Sequence, residues 1–198
     1  MKPSHHFFAF LLSTVAFHAN ALPTVAFDQS TLSAELGDTF ELVLRGSGFD
    51  TTLDGKIVNN VTGGQSFDLS FGATTLKLVD VQIASRWVFA AGNKTGVIDN
   101  DAGTLTGLAF GTFPATTDDS FDIATLRFEA VGPGSTDLIV SGGTFAARVD
   151  SISGSAITPV FEPTNVSVLS AVPEADSWAM MLAGLGMLGW HARRRLTT

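Results

Sequence analysis

Between Pro23 and Leu169 apolar and polar residues alternate in short runs, each closed by turn residues. In "FELVLRG" the alternation sets Phe40, Leu42 and Leu44 on one face. "SFDLSF" turns Phe67, Leu69 and Phe71 inward and leaves Asp68 and Ser70 outward. "ATLRFEAV" sets Leu126 and Phe128 against Arg127 and Glu129. A period of two predicts strands with one buried face. The runs are separated by Gly46-Ser47-Gly48, Gly63-Gly64, Asp101-Ala102-Gly103, Gly132-Pro133-Gly134 and Gly142-Gly143, which are turn sequences. No stretch keeps an apolar repeat of 3.6, and no internal repeat or interdomain linker interrupts the pattern. About nine strands at this spacing predict an all-β, two-sheet sandwich in one domain over residues 22–170.

Both ends depart from the pattern. Lys2 precedes an apolar run from Phe7 to Phe17, and Ala19-Asn20-Ala21 is the small-x-small pattern that signal peptidase reads. Residues 1–21 are therefore expected to be a signal peptide, with Ala19 and Ala21 marking cleavage and the mature chain starting at Leu22. Residues 171–198 carry Val172-Pro173-Glu174, an apolar run from Trp178 to Trp190, and Arg193-Arg194-Arg195. As a helix that run spans about 20 Å, against about 30 Å for a bilayer core. Flanking Trp residues favour the interface, and the three arginines form a basic stop on the cytoplasmic side. A single short transmembrane helix, anchoring the chain transiently, is the expectation. Gly184, Gly186 and Gly189 weaken it and permit close approach of another helix.

Setting the ends aside changes the charge balance. Residues 22–172 hold 7 Lys+Arg and 17 Asp+Glu, a net charge of −10. A field of that sign opposes nucleic acid and anionic membranes. The same segment has no Cys, His, Met or Tyr; His5, His6, His18 and His191 all lie in the ends. Without Cys, the fold is held by its core alone. Without His or Cys, no Ser-His or Cys-His nucleophile pair and no thiolate or imidazole metal site is available. A non-enzymatic protein without metal or cofactor is expected.

The remaining candidates are few. Asp99-Asn100-Asp101-Ala102-Gly103 opens like a calcium loop, but the pattern needs an oxygen ligand fifth, Gly sixth and Glu twelfth, where this chain has Gly103, Thr104 and Phe110. A polar hairpin turn is the simpler reading, with a weak calcium site of another kind as the alternative. Asp118-Asp119 and Asp122, with Glu129 or Glu162, are the carboxylates for a glycosidase pair, which needs a separation of about 5–10 Å. Trp87 in "SRWVFAAGN" is either a core residue or, if exposed, a platform for a sugar ring. Three glycosylation sequons begin at Asn60, Asn93 and Asn165 and read as chance matches in a Thr- and Asn-rich chain.

Three segments, in order, resemble a cohesin-type domain. "GDTFELVLRGSG" (Gly37 to Gly48) looks like its Gly-Asp turn and second strand. "FDLSFGATTLKLVDVQI" (Phe67 to Ile83) is similar to its strand pair around a Tyr-Asp-x-x-x-Leu corner, with Phe71 and Leu76 kept and Gly72 in the acidic place. "FDIATLRFEAVGPGSTDLIV" (Phe121 to Val140) resembles its late strand, Gly turn and apolar strand. The resemblance implies a nine-stranded jelly-roll sandwich, related in fold to carbohydrate-binding modules, that binds a partner such as a dockerin or a polysaccharide. The motif, short helix and basic stop of residues 171–195 are similar to a PEP-CTERM sorting signal, although Ala175 stands where that family has a second Pro. This likeness implies processing by the membrane protease exosortase and delivery to the surface or exopolysaccharide matrix of a Gram-negative bacterium. The resulting expectation is a surface or matrix binding protein. The alternatives are a structural matrix component without a discrete ligand and an acid-residue glycosidase.

Overall fold

The computed structural model describes residues 22–49, 52–53, 56–57, 60–149, 152–170 and 179–188. The expected signal peptide with Ala19 and Ala21, the Val172-Pro173-Glu174 motif and Arg193 to Arg195 lie outside the described residues. The described residues form fourteen strands. They are β1 (Thr24–Phe27), β2 (Thr31–Glu35), β3 (Thr39–Ser47), β4 (Thr52–Leu53), β5 (Lys56–Ile57), β6 (Asn60–Ser70) and β7 (Leu76–Ile83). There follow β8 (Val97–Asp99), β9 (Thr104–Thr116), β10 (Phe121–Ala130), β11 (Gly134–Val149), β12 (Ile152–Ile157), β13 (Val160–Phe161) and β14 (Thr164–Leu169).

Two sheets face each other. The first runs β13-β1-β3-β10-β7, and the second runs β2-β14-β11-β6-β9-β8 with β12 added on β11. The terminal segments of the domain run side by side and change sheets together. β1 pairs in parallel with β13 in the first sheet, and β2 pairs in parallel with β14 in the second. The strand count exceeds the expectation because each of these segments breaks where it crosses. With each counted once and β4, β5 and β12 set aside, nine strands remain.

The alternation read from the sequence is what the core uses. Leu42 and Leu44 of β3 and Leu126 and Phe128 of β10 are buried, and Phe40 stacks on Phe128 with centroids 5.8 Å apart. At one end of the sandwich an aromatic cluster fills the space between sheets. Phe145 touches Phe49, Phe67, Phe110 and Phe121 with centroids 4.7–5.9 Å apart, mostly edge to face. Such pairs add about 0.5–1.5 kcal/mol each beyond burial. The cluster demands glycine beside it. Gly143 sits at φ +80, and a Cβ there would lie 2.5 Å from the Phe67 ring.

Residues 179–188 form a helix whose residues are all exposed. It is about 15 Å long at 1.5 Å per residue. Among the described residues no helix is long and apolar enough to cross a membrane. The expected span from Trp178 to Trp190 is described only over this part.

Candidate functional site

The two outer faces of the sandwich differ in chemistry. On the five-stranded sheet, Arg127 of β10 stands between Glu41 of β3 and Asp80 of β7, and Glu129 stands opposite Lys77. This is a ladder of alternating charge, suited to water. The outer face of the seven-stranded sheet instead presents Thr62, Gln65, Gly107, Ala109, Thr144, Ala146 and Ala156 around a groove of about 760 Å³. Lys94 is the one charged residue among its described lining.

The groove follows from irregular backbone. Two neighbouring strands of the second sheet, β6 and β9, fall out of register at this level. Between β6 and β11 the register holds at this point, the pairs Gly142↔Phe67 and Thr144↔Gln65 setting Gly143 opposite Ser66, and it shifts only between Ala146 and Ala147. Between β6 and β9, the pairs Gly64↔Phe110 and Phe67↔Leu108 leave two residues opposite one, and Thr106-Gly107 are left over in the next interval. Ser66 is the one non-glycine among the described residues with positive φ, at 61°. A non-glycine residue held there costs of order 1 kcal/mol and persists only where its surroundings impose it. Bulges bend a sheet and re-aim side chains. Here they leave the consecutive residues Gln65 and Ser66 both exposed, where strict alternation would hide one.

One wall of the groove is the segment after β7. Its main chain is fastened to β9 by Phe89 N–H donating to Gly111 O at 2.9 Å and by a bridge between Lys94 and Ala109. The Asn93 side chain completes the clamp, donating to Trp87 O at 2.6 Å and accepting from Gly111 N–H at 2.9 Å. This clamp holds Phe89 against Phe113 of β9, edge to face at 4.8 Å. Phe113 is 70% exposed and Phe89 38%. An exposed aromatic pair thus stands beside a groove whose described lining holds one charged residue.

Trp87 is a correction to its candidacy as a sugar platform. It is 3% exposed and packs on Phe110 at 4.6 Å and Phe121 at 5.4 Å. Its indole N–H donates to Asp122 O at 2.9 Å. The sheets close over it, so neither ring face meets solvent, and the core reading is the one the structure takes. Among the described residues the exposed aromatics are Phe89 and Phe113, which sequence reasoning did not single out. The signal for Phe113 was a Phe three residues after Phe110, out of step with a period of two.

The carboxylates are not gathered in one cleft. Asp118 pairs with Arg86 at 2.5 Å and Asp122 with Arg45 at 2.8 Å. The hydrogen bond from Arg86, then its charge, holds the Asp118 carboxyl below the usual 3.8. Glu129 is seven residues along β10 from Asp122, about 23 Å in an extended strand. Glu162 follows β13, three strands from β10 and about 14 Å away at the usual spacing. Neither distance fits a glycosidase pair. Asp119 O accepts from Phe49 N–H at the entry to β10.

The Asp99 turn is the polar hairpin expected, joining β8 to β9 through the pair Asp99↔Thr104. Asp99 Oδ1 accepts from Asp101 and Ala102 N–H. The Asn100 amide bonds both backbone groups of Leu78. It thereby covers part of the β7 edge. Among the described residues no group of three His, Cys, Asp or Glu is placed to hold a metal ion. Of the sequon asparagines, Asn93 serves the clamp and Asn165 bonds Asp137 and Ser135.

Residues 171–195 match the PEP-CTERM protein-sorting motif, which implies export and sorting to the cell surface. No curated protein matches the chain. Solved structures similar in fold include cohesins. The seventh ScaB type I cohesin from Pseudobacteroides cellulosolvens aligns with TM-score 0.58 and 16% identity, covering 78% of this chain and 96% of that one. A type I cohesin–dockerin complex from Clostridium thermocellum gives TM-score 0.58 and 14% identity, covering 78% and 98%. A non-cellulosomal cohesin from the archaeon Archaeoglobus fulgidus gives 0.55 and 12%, covering 81% and 98%. At these identities the likeness is one of fold. The chain is thus a cohesin-like β-sandwich followed by a PEP-CTERM sorting segment.

Proposed function

We propose that this is a non-enzymatic surface or matrix protein, processed by exosortase, whose sandwich binds a glycan or protein partner through the outer face of the seven-stranded sheet. The observation that carries the reading is the contrast between the two outer faces. One is a solvated charge ladder, and the other holds a groove whose described lining carries a single charge, edged by exposed aromatics, in a domain of net charge −10. Burying a charged face costs desolvation, whereas a neutral face can be covered cheaply. Dockerins are the partners in several of the solved complexes of similar fold, which supports a protein module as one class of ligand. In this reading the host is a Gram-negative bacterium that secretes exopolysaccharide. The signal peptide carries the domain outward, and the C-terminal helix anchors it transiently until exosortase acts.

A glycan array and capture from the producer's own matrix test the reading together. The full chain should retain a specific ligand, Phe113→Asp should lose it, and Arg127→Ala on the opposite face should keep it. Retention of no ligand at all would instead favour a structural matrix component. Loss with Arg127→Ala alone would place binding on the wrong face.

A further inference from the structure

Resting on that binding reading, we infer that the groove between Phe113 and β12 is a subsite for a neutral glycan chain, with a sugar ring stacked on Phe113. Charge comes first. The described lining contains one charge, Lys94, although acidic residues outnumber basic ones by 17 to 7 across residues 22–172. Asp68, at the level of the bulges, accepts from Gly107 N–H at 2.8 Å. A polyanion approaching this domain meets a repulsive field, and one ammonium is too little to reverse it. A neutral chain meets no such repulsion, and the neighbouring Asp68 carboxylate already accepts from Gly107 N–H.

The lining chemistry fits such a chain. A pyranose has one face of C–H groups and a rim of hydroxyls, so its site needs an aromatic platform and nearby uncharged hydrogen-bonding groups. Phe113, held edge-on by Phe89, is 70% exposed and provides the platform. Thr62, Gln65, Ser66 and Thr144 provide hydroxyl and amide groups, and Lys94 a donor. Glycine and alanine between them leave room: Gly107 has nothing within 4 Å of where a Cβ would stand. The bulges that expose Gln65 and Ser66 together place two polar side chains on this face at the cost of a strained residue. The Asn93 clamp fixes the wall before ligand arrives, which lowers the entropy lost on binding.

Calorimetry and NMR titration of the full chain in mild detergent test this. The probes are four neutral hexasaccharides (cellohexaose, xylohexaose, mannohexaose and maltohexaose), with a polygalacturonate oligomer as the anionic control. At least one neutral probe should bind and the anionic one should not. Shifts should fall on Gln65, Gly111 and Phe113, and not on Arg127. Phe113→Ala should weaken binding about tenfold with an unchanged melt, the loss of one stacked ring. Ala146→Arg, filling the groove from its exposed side, should weaken it as well. Binding by none of the neutral probes, or affinity indifferent to both substitutions, overturns the glycan assignment. If Phe113→Asp still abolishes capture of a matrix protein in that case, the sheet face remains a docking surface and only the ligand class is wrong.

Discussion

Replacing Trp87 by Ala separates a core role from a binding role in one variant. The indole is 3% exposed and wedged against Phe110 and Phe121 at centroid distances of 4.6 and 5.4 Å. Its removal leaves a cavity between close-packed rings of opposite sheets, where collapse is limited. It also leaves Asp122 O without the 2.9 Å hydrogen bond it now accepts. Buried Trp→Ala changes cost about 3–5 kcal/mol, cavity included. For a domain of this size each kcal/mol lowers the melting temperature by about 2–4 °C, so a fall of about 6–20 °C is expected. Trp87→Phe keeps most of the ring and loses the N–H, and should cost about 1–2 kcal/mol. Phe113→Ala, at an exposed position, should stay within about 0.5 kcal/mol of wild type. Thermal melts and urea titrations of the three variants read these values. Ligand binding is measured where each remains folded. A Trp87→Ala protein that melts like wild type refutes the packing argument. One that melts like wild type and loses ligand returns Trp87 to the binding surface.

Four further outcomes are expected. Gly143→Ala should destabilise by about 2–4 kcal/mol in urea titrations, because positive φ and the Phe67 ring both oppose a Cβ, whereas Gly107→Ala, with φ +76 in open space, should lose only about 1. Asp118 has its folded pKa lowered by Arg86, so its contribution to stability is present above the usual 3.8 and is lost as pH falls below it; Asp118→Asn should flatten the fall in melting temperature at the acid end, by a small amount because the pair is exposed. Replacing Arg193, Arg194 and Arg195 by Glu should leave uncut or fully secreted precursor, since each Arg resists insertion by about 2.5–3.5 kcal/mol, as fractionation and C-terminal mass spectrometry will read. Intact mass of the exported species should begin at Leu22, and a retained Met1 would count against the signal peptide.

The strands with strict alternation were legible without coordinates. Phe67, Leu69 and Phe71, or Leu126 and Phe128, are buried where the period of two put them. Each side chain in a regular strand has only two faces to choose from. β9 was not legible in the same way. Leu105, Leu108 and Phe110 are buried and Phe113 is exposed, a spacing that no single period produces. The parity is reset at Thr106-Gly107, where the partner strand offers fewer residues, and a bulge of that kind is a property of the pair.

What the sequence determined by itself is therefore local or additive. The two-sheet β architecture follows from alternation and turn residues. The acidic field follows from counting, and the sorting segment from three features within residues 171–195. The tertiary structure alone decided which aromatics are free. Trp87 lies outside any strand, so no period constrains it, and its burial depends on two sheets closing over the loop that carries it. Phe89 and Phe113 stay exposed because Asn93 ties that loop to β9 and because β6 and β9 fall out of register beside it. These are contacts between residues far apart in the chain. Their geometry is set by packing a whole sandwich, and no window of sequence contains it.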